Sequence, residues 1–215
     1  MKTESVRQKI NCDLEMQKTI KGFAEGEKPS LLLHSCCAPC STAVVERLTE
    51  NFCVTVFYFN PNITESEEYN LRLNEQKRYL KETYGDAVKI IEGRYSAREF
   101  FAAATGLEKE PEGGKRCEAC FELRLNETAK IAKEGGYRYF CTTLTVSPHK
   151  NAELINEIGT HAGERYGVGF LPSDFKKRGG FKRSCELSEK SGLYRQNYCG
   201  CIYSKYAHIK SENEE

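Results

Sequence analysis

The sequence lacks a long apolar run. Its longest candidate, Cys53-Val-Thr-Val-Phe-Tyr-Phe59, is strand-sized and far short of the roughly 18 apolar residues a membrane span needs. A dominant charge is also missing: 32 Lys and Arg stand against 31 Asp and Glu, a formal net charge of +1. Residues 1–25 are charged throughout and have no apolar centre of the kind that marks a secretion signal, so a cytoplasmic protein with no membrane partner is expected. Internal repeats and low-complexity tracts are absent, apart from the acidic Ser211-Glu-Asn-Glu-Glu215, which reads as a frayed end. Eleven cysteines in 215 residues are too few for a small disulfide scaffold, and a reducing compartment would keep them as thiols.

What is present suits one large domain. At 215 residues and 39% hydrophobic content the chain can build a core, and 29% charged residues with a mean hydropathy of −0.61 leave a well-solvated surface. Short, continuously apolar runs at residues 31–35, 53–59, 87–92, 137–142 and 168–171 have the character of buried parallel strands. Amphipathic stretches lie between them. Thr64-Glu-Ser-Glu67 reads as a capping box opening a helix whose stripe is Tyr69, Leu73, Leu80 and Tyr84, ended by Gly85. A second helix starts near Cys117, buries Phe121, Leu125 and Ala132, and stops at Gly135-Gly136. Ser147-Pro148 resembles an N-cap with proline at the first helical position, ahead of Leu154, Ile155, Ile158 and Ala162.

Strand and helix in alternation predict an α/β fold, a parallel sheet flanked by helices with right-handed crossovers. The expected organisation is a single domain over 1–215. Residues 1–28 form an N-terminal helical extension and 29–172 the sheet and crossover helices. Residues 173–210 form helices and loops that close over the site.

The cysteines are clustered. Four of them, Cys12, Cys53, Cys141 and Cys185, stand alone and read as small buried hydrophobes. The other seven fall in three groups. Cys36, Cys37 and Cys40 lie where the first strand runs into a helix start. That is the edge at which open α/β sheets bind ligands, and the helix N-terminus there favours thiolate over thiol. Cys117 and Cys120, at i and i+3 of a helix start, can grip one metal or serve as a dithiol. Joined to Cys36 and Cys37 they make four thiolates, the ligand set of an iron–sulfur cluster or a structural zinc. Spacing does not separate the two metals, whereas a position bordering the substrate crevice favours iron. Cys199-Gly-Cys201 is too tight for two chelating ligands on a regular helix. Glycine between the cysteines permits a turn in which the sulfurs meet as a labile disulfide or point jointly at a metal.

Despite the neutral total, Ser173-Asp-Phe-Lys-Lys-Arg-Gly-Gly-Phe-Lys-Arg183 carries five positive charges against one negative. Lys176, Lys177 and Arg178 could neutralise phosphates while Phe175 or Phe181 stacks on a base; an ordinary solvated loop is the plainer reading. The four histidines show no metal-ligand spacing, and His34, beside the cysteines, is the one candidate for proton transfer.

Four signatures together resemble the cobalamin-independent epoxyqueuosine reductases of the QueH type. They are His34-Ser-Cys-Cys-Ala-Pro-Cys40, Tyr58-Phe-Asn-Pro-Asn-Ile63 with Glu68-Tyr69, Arg116-Cys-Glu-Ala-Cys120, and Tyr194-Arg-Gln-Asn-Tyr-Cys-Gly-Cys201. Thr142-Thr-Leu-Thr-Val-Ser-Pro-His-Lys-Asn151 also fits, and the resemblance spans roughly residues 30–205 in order. It implies a HUP-like fold related to the PP-loop ATPases. The SGGxDS run of those enzymes is missing here, so neither ATP nor cobalamin is expected.

The resemblance further implies an oxidoreductase that converts epoxyqueuosine to queuosine at the tRNA wobble position, with a 4Fe-4S cluster. By position, Cys36, Cys37, Cys117 and Cys120 would be the cluster ligands and Cys199 with Cys201 the redox-active pair. Cys40, where some relatives carry Asp, could join a neighbouring thiolate on a second iron. Asn60, Asn62 and Tyr69 are candidates for substrate contact, and a ferredoxin- or flavodoxin-like protein is the expected electron donor. The competing readings are an iron–sulfur tRNA sulfur transferase of PP-loop type and a zinc-stabilised RNA-binding protein without catalysis.

Overall fold

In this computed structural model, residues 10–212 are described. Helix α1 (Cys12–Lys21) is capped by Asn11, whose side chain accepts from the Leu14 amide, and it precedes strand β1 (Ser30–His34). The order then runs α2 (Ala38–Thr49), β2 (Cys53–Tyr58), α3 (Ser66–Tyr84), β3 (Lys89–Glu92), α4 (Ala97–Ala104), α5 (Lys115–Glu134) and β4 (Tyr139–Thr142). A 3-10 turn at Thr143–Val146 leads to α6 (Ala152–Tyr166), β5 (Gly169–Phe170), α7 (Gly180–Lys190) and α8 (Ile202–Glu212). The acidic end therefore starts inside α8, and its last three residues lie outside those described, as do residues 1–9 of the N-terminal extension.

All five strands are parallel, in the order β3-β2-β1-β4-β5. The α/β class read from the sequence is the one observed, and each expected strand lies within a residue or two of its place. Period-2 alternation explains how one strand feeds two cores. Leu31 and Leu33 point into a cluster with Val44, Val45 and Leu48 of α2, Leu80 of α3 and Met16 of α1. Leu32, between them, points the other way, to Phe140, Ala129 and Ala132 of α5, and Ala162 of α6. Each such side chain taken fully from water contributes about 1.5–3 kcal/mol. The helices on the second face sit close to the sheet because small residues line them. A Cβ on Gly159 would lie 2.3 Å from the Phe170 ring, so glycine is what lets α6 settle on β5.

Two helix starts differ from the sequence reading. The capping box at Thr64 does not form: α3 begins at Ser66 without a side-chain cap, and the Thr64 amide donates instead to the Gly200 carbonyl at 3.2 Å. Tertiary docking of the C-terminal segment has taken over this residue. Likewise, α6 is capped by Asn151, whose Oδ1 accepts from the amides of Glu153 and Leu154, and not by Ser147. Residues 147–150 become a turn, and that turn faces the site.

Candidate metal and redox site

The strand order reverses direction between β1 and β4, the switch point at which an open parallel sheet leaves a crevice beyond its carboxyl ends. His34, the last residue of β1, ties that edge together. Its Nδ1 lies 2.9 Å from Thr142 Oγ1 and its Nε2 3.2 Å from the Phe59 carbonyl oxygen, so Nε2 donates and Nδ1 accepts. Complete burial holds the ring neutral, with its pKa down to about 3. This corrects the sequence expectation: a histidine fixed on both sides and sealed from solvent is a structural tie, not a proton carrier.

The turn after β1 is pinned by buried amides. Asn60 Nδ2 donates to the Ser35 carbonyl at 2.8 Å, Ser35 Oγ donates to Gln76 Oε1 at 2.7 Å, and Gln76 Nε2 donates to Ser41 Oγ at 2.9 Å. Cys37 is the N-cap of α2 in extended backbone, with Pro39 in the first turn. As a result the sulfurs of Cys36, Cys37 and Cys40 all lie within 4.8 Å of one another. The Cys36 and Cys37 sulfurs are 3.8 Å apart, and Thr143 Oγ1 donates to Cys36 Sγ at 3.4 Å. Hydrogen bonds with Cys37 and Cys40 hold Cys36 well below the ordinary thiol range. The hydrogen bond with Cys36 pushes Cys37 up to about 12, and those with Cys36 and Cys37 raise Cys40 well above its usual value.

The second group opens α5. The Gly113 amide donates to Cys117 Sγ at 3.2 Å, and Cys120 is buried beside Phe100, Cys199 and Cys201. Burial raises both thiols, Cys120 to about 11. Arg116, between Gly113 and Cys117, donates to the carbonyls of Leu107, Glu108 and Glu110 and lies 4.5 Å from the Tyr203 ring centroid. It locks the approach to α5 against α8.

The third group is held from below by α3. Arg72, 2% exposed, pairs with Glu68 at 2.6 Å and donates to the carbonyls of Cys199 at 3.3 Å and Tyr198 at 3.5 Å. Asn62 Nδ2 also donates to the Cys199 carbonyl, at 3.3 Å. Gly200 has φ +112°, and a Cβ there would lie 2.8 Å from Ile63 Cγ1, so this turn requires glycine. The sulfurs of Cys199 and Cys201 share a contact of 3.5 Å. Their hydrogen bond brings Cys199 down to about 5 and drives Cys201 up.

Two neighbouring cavities join the groups. One of about 770 Å³ is lined by Cys36, Cys40 and Cys199 together with Arg72, Phe181 and the 195–198 segment. The other, about 130 Å³, is lined by Cys117, Cys120, Cys199, Cys201 and Asn62. Cys199, Glu112, Arg124, His149 and Lys150 border both. Cys36 and Cys117 pack against one apolar cluster around Phe121, Leu125 and Leu144. Thiols far apart in sequence therefore surround one region at the sheet's carboxyl edge. No disulfide forms among the described residues, and all eleven cysteines are free. Such a soft, all-sulfur donor set, three of its members within metal-sharing distance, fits an iron–sulfur centre or zinc.

The remaining expected site residues fall in different places. Asn62 lines the smaller cavity, and its Oδ1 is buried without a partner. Asn60 lines neither cavity and serves the β1 turn. Tyr69 is 2% exposed and stacks on Tyr95 at 4.0 Å inside an apolar cluster. The basic run is largely committed to the protein itself: Lys176 donates to the Thr145 carbonyl at 3.2 Å and pairs with Asp174, and Arg178 pairs with Asp13 of α1 at 3.1 Å. Phe175 is 2% exposed in the core beneath Arg47 and cannot stack on a base, whereas Phe181 is 40% exposed at the larger cavity. Of the single cysteines only Cys141 is fully buried; Cys53, the first residue of β2, is exposed, contrary to the buried reading, because its strand end projects beyond the core.

Arg72, Glu112, Arg124 and Lys150 were not singled out by sequence. A signal existed for three of them. Arg72 is one helical turn from Glu68, Arg124 one turn from Cys120 on the same face, and Lys150 ends the turn before Asn151.

The model of the family described as epoxyqueuosine reductase QueH matches residues 31–207. Among curated proteins, the epoxyqueuosine reductase QueH of Staphylococcus epidermidis is 46% identical over 203 residues, covering 92% of this chain and 85% of its own. That of Streptococcus pyogenes serotype M1 is 44% identical over 201 residues, covering 92% of this chain and 79% of its own. Among solved structures, the U34-tRNA thiolase NcsA of Methanococcus maripaludis, with its 4Fe-4S cluster, superposes with a TM-score of 0.53 at 13% identity. The match covers 90% of this chain and 67% of that one, which is a likeness of fold alone.

Proposed function

The chain belongs to the QueH family of epoxyqueuosine reductases, and from that premise we propose that it reduces epoxyqueuosine to queuosine in the anticodon loop of tRNA, the last step in making that nucleoside. The observation that carries this reading is the convergence of three cysteine groups on one pair of cavities, with Cys199 common to both.

Removing an epoxide oxygen to leave an alkene takes up two electrons and two protons and releases water. Cys199 and Cys201 fit the electron count. Forming one S–S bond between the Cys199 thiolate and the Cys201 thiol gives up two electrons and one proton, the second proton comes from solvent, and the two sulfurs already touch at 3.5 Å. An external donor of the ferredoxin or flavodoxin class then returns the disulfide to the dithiol. Cys36, Cys37, Cys117 and Cys120 would hold a 4Fe-4S cluster, with Cys40 and a neighbouring thiolate available to a second iron. When bound, the cluster supplies single electrons to the site.

The larger cavity is roomy enough for a modified nucleoside. Phe181 and Tyr198 at its wall are placed to stack on a base, and a single-stranded loop can offer that base without melting a duplex. Asn62, with its unpaired Oδ1, remains a candidate for substrate contact, and of the basic run Lys177 is the candidate for the phosphate backbone, since Lys176 and Arg178 are engaged with Asp174 and Asp13. Among the described residues no helix is long and apolar enough to cross a membrane. We place the reaction in the cytoplasm.

The test is to reconstitute the protein anaerobically with iron and sulfide and incubate it with epoxyqueuosine-containing tRNA and dithionite, then analyse the nucleosides. Queuosine should replace epoxyqueuosine, with loss of one oxygen atom. Unchanged epoxyqueuosine under conditions in which a curated relative converts it would contradict the reading.

A further inference from the structure

Arg124 is a buried charge that the chemistry above does not use. It lies on α5 one turn after Cys120, is 3% exposed, and borders both cavities. Its Nε donates to the Cys120 carbonyl at 3.2 Å, and the guanidinium carbon sits 5.6 Å from the Phe121 ring centroid. Among the described residues no carboxylate pairs with it. Glu112, the acid that borders the same two cavities, accepts from Ser204 Oγ at 3.2 Å instead. Lys150 faces the same space from the turn before α6 and likewise has no ion-pair partner among the described residues. A charge taken from water without a partner is strongly unfavourable, so buried Arg124, with half-buried Lys150 beside it, calls for a compensating negative group. At that spot the chain supplies Glu112, which Ser204 engages, and the cysteine sulfurs.

We infer that Arg124, with Lys150 beside it, is the fixed counter-charge of the thiolate–metal centre and raises the reduction potential of that centre. This rests on the metal reading of the preceding subsection. Four thiolates around an iron–sulfur cluster leave a net negative group, and each electron added makes it more so. A permanent cation nearby stabilises the reduced form more than the oxidised form, the more strongly in a site that excludes water. Arginine suits this position because it keeps its charge at every accessible pH. The consequence is a centre that a physiological donor can reduce although it is buried among sulfurs. Arg124 is thus a positioning and tuning residue and needs no contact with the substrate.

The experiment uses the full chain, reconstituted anaerobically, with iron and sulfide measured first and the midpoint potential then followed by optical and electron paramagnetic resonance titration. Arg124→Gln and Lys150→Gln should each move the midpoint to more negative potential, and Arg124→Lys should restore most of the wild-type value. Equal midpoints in wild type and both glutamine variants at equal iron content would overturn the inference. Loss of iron from Arg124→Gln that Arg124→Lys restores supports it. Loss that Arg124→Lys does not restore makes Arg124 a packing residue and overturns it. Wild-type protein that takes up no iron would overturn both this inference and the metal reading, whereas unshifted midpoints overturn this one alone.

Discussion

At the scale of single residues, two side chains only two positions apart in sequence illustrate what burial does. His34 and Cys36 both lie at the end of β1, yet the first is sealed and the second opens on a cavity. From sequence they look alike, two reactive groups at a catalytic edge. What sets them apart is the partner on each side of the imidazole, supplied by Thr142 of β4 and by Phe59 just past β2, which no local pattern reveals. The buried neutral ring has a measurable cost. Its folded-state pKa is depressed from 6.5 to about 3, so the unfolded chain takes up a proton that the folded chain refuses as pH falls through that window. The stability it leaves intact above pH 6.5 should then decline by about 1.4 kcal/mol per pH unit down to about 3. Urea unfolding of metal-free protein at several pH values should show this slope, and His34→Gln should flatten it.

Cys199 titrates in the opposite sense to its partner. With its pKa down at about 5, Cys199 is the member of the pair that ionises first, while contact with it raises Cys201. Alkylation of metal-free protein by iodoacetamide should therefore modify Cys199 at a rate that falls only as pH drops through about 5. Cys201→Ala removes the hydrogen bond and should move that inflection upward toward the ordinary thiol range of about 8.5. An unshifted inflection would remove Cys201 as the cause.

At the scale of elements, the strands were legible because continuous apolar runs have few alternatives in a parallel sheet. The helix starts were less so. Thr64 and Ser147 both carry good capping chemistry, but each lies where another segment docks, and tertiary contact prevailed over local preference. The two capping readings for α6 differ experimentally. Asn151→Ala should lower stability by about 1 kcal/mol, read as a fall in Tm, because its Oδ1 serves two amides. Ser147→Ala should change it by less than about 0.5 kcal/mol. The element that sequence displayed most misleadingly is the basic run. Arg178 is spent on Asp13, which also pairs with Arg47 at 2.5 Å, so part of that charge fastens α1 to the body.

At the scale of the whole molecule, the cysteine groups could be recognised one by one, but nothing in their spacing says that the carboxyl end of β1, the start of α5 and the loop before α8 meet. Strand order decides it. With β1 and β4 adjacent at the switch point, the β1 turn faces the turn after β4, and α5 and α8 close over the same edge. Arg72, Asn62 and the Thr64 amide then anchor the C-terminal turn that carries Cys199 and Cys201. These anchors come from the segment before α3 and from α3 itself, more than a hundred residues earlier in the chain, which is why a sequence shows the turn without showing what holds it.

The most direct measurement is the iron and acid-labile sulfide content of anaerobically reconstituted protein, compared between wild type and Cys117→Ser. Joint ligation by the thiolates after β1 and at the start of α5, as proposed, predicts a brown wild-type protein with iron and sulfide in the ratio of a 4Fe-4S cluster, and a variant that loses most of both. A colourless protein that binds zinc in place of iron, or a Cys117→Ser variant with its full iron and sulfide, would contradict it.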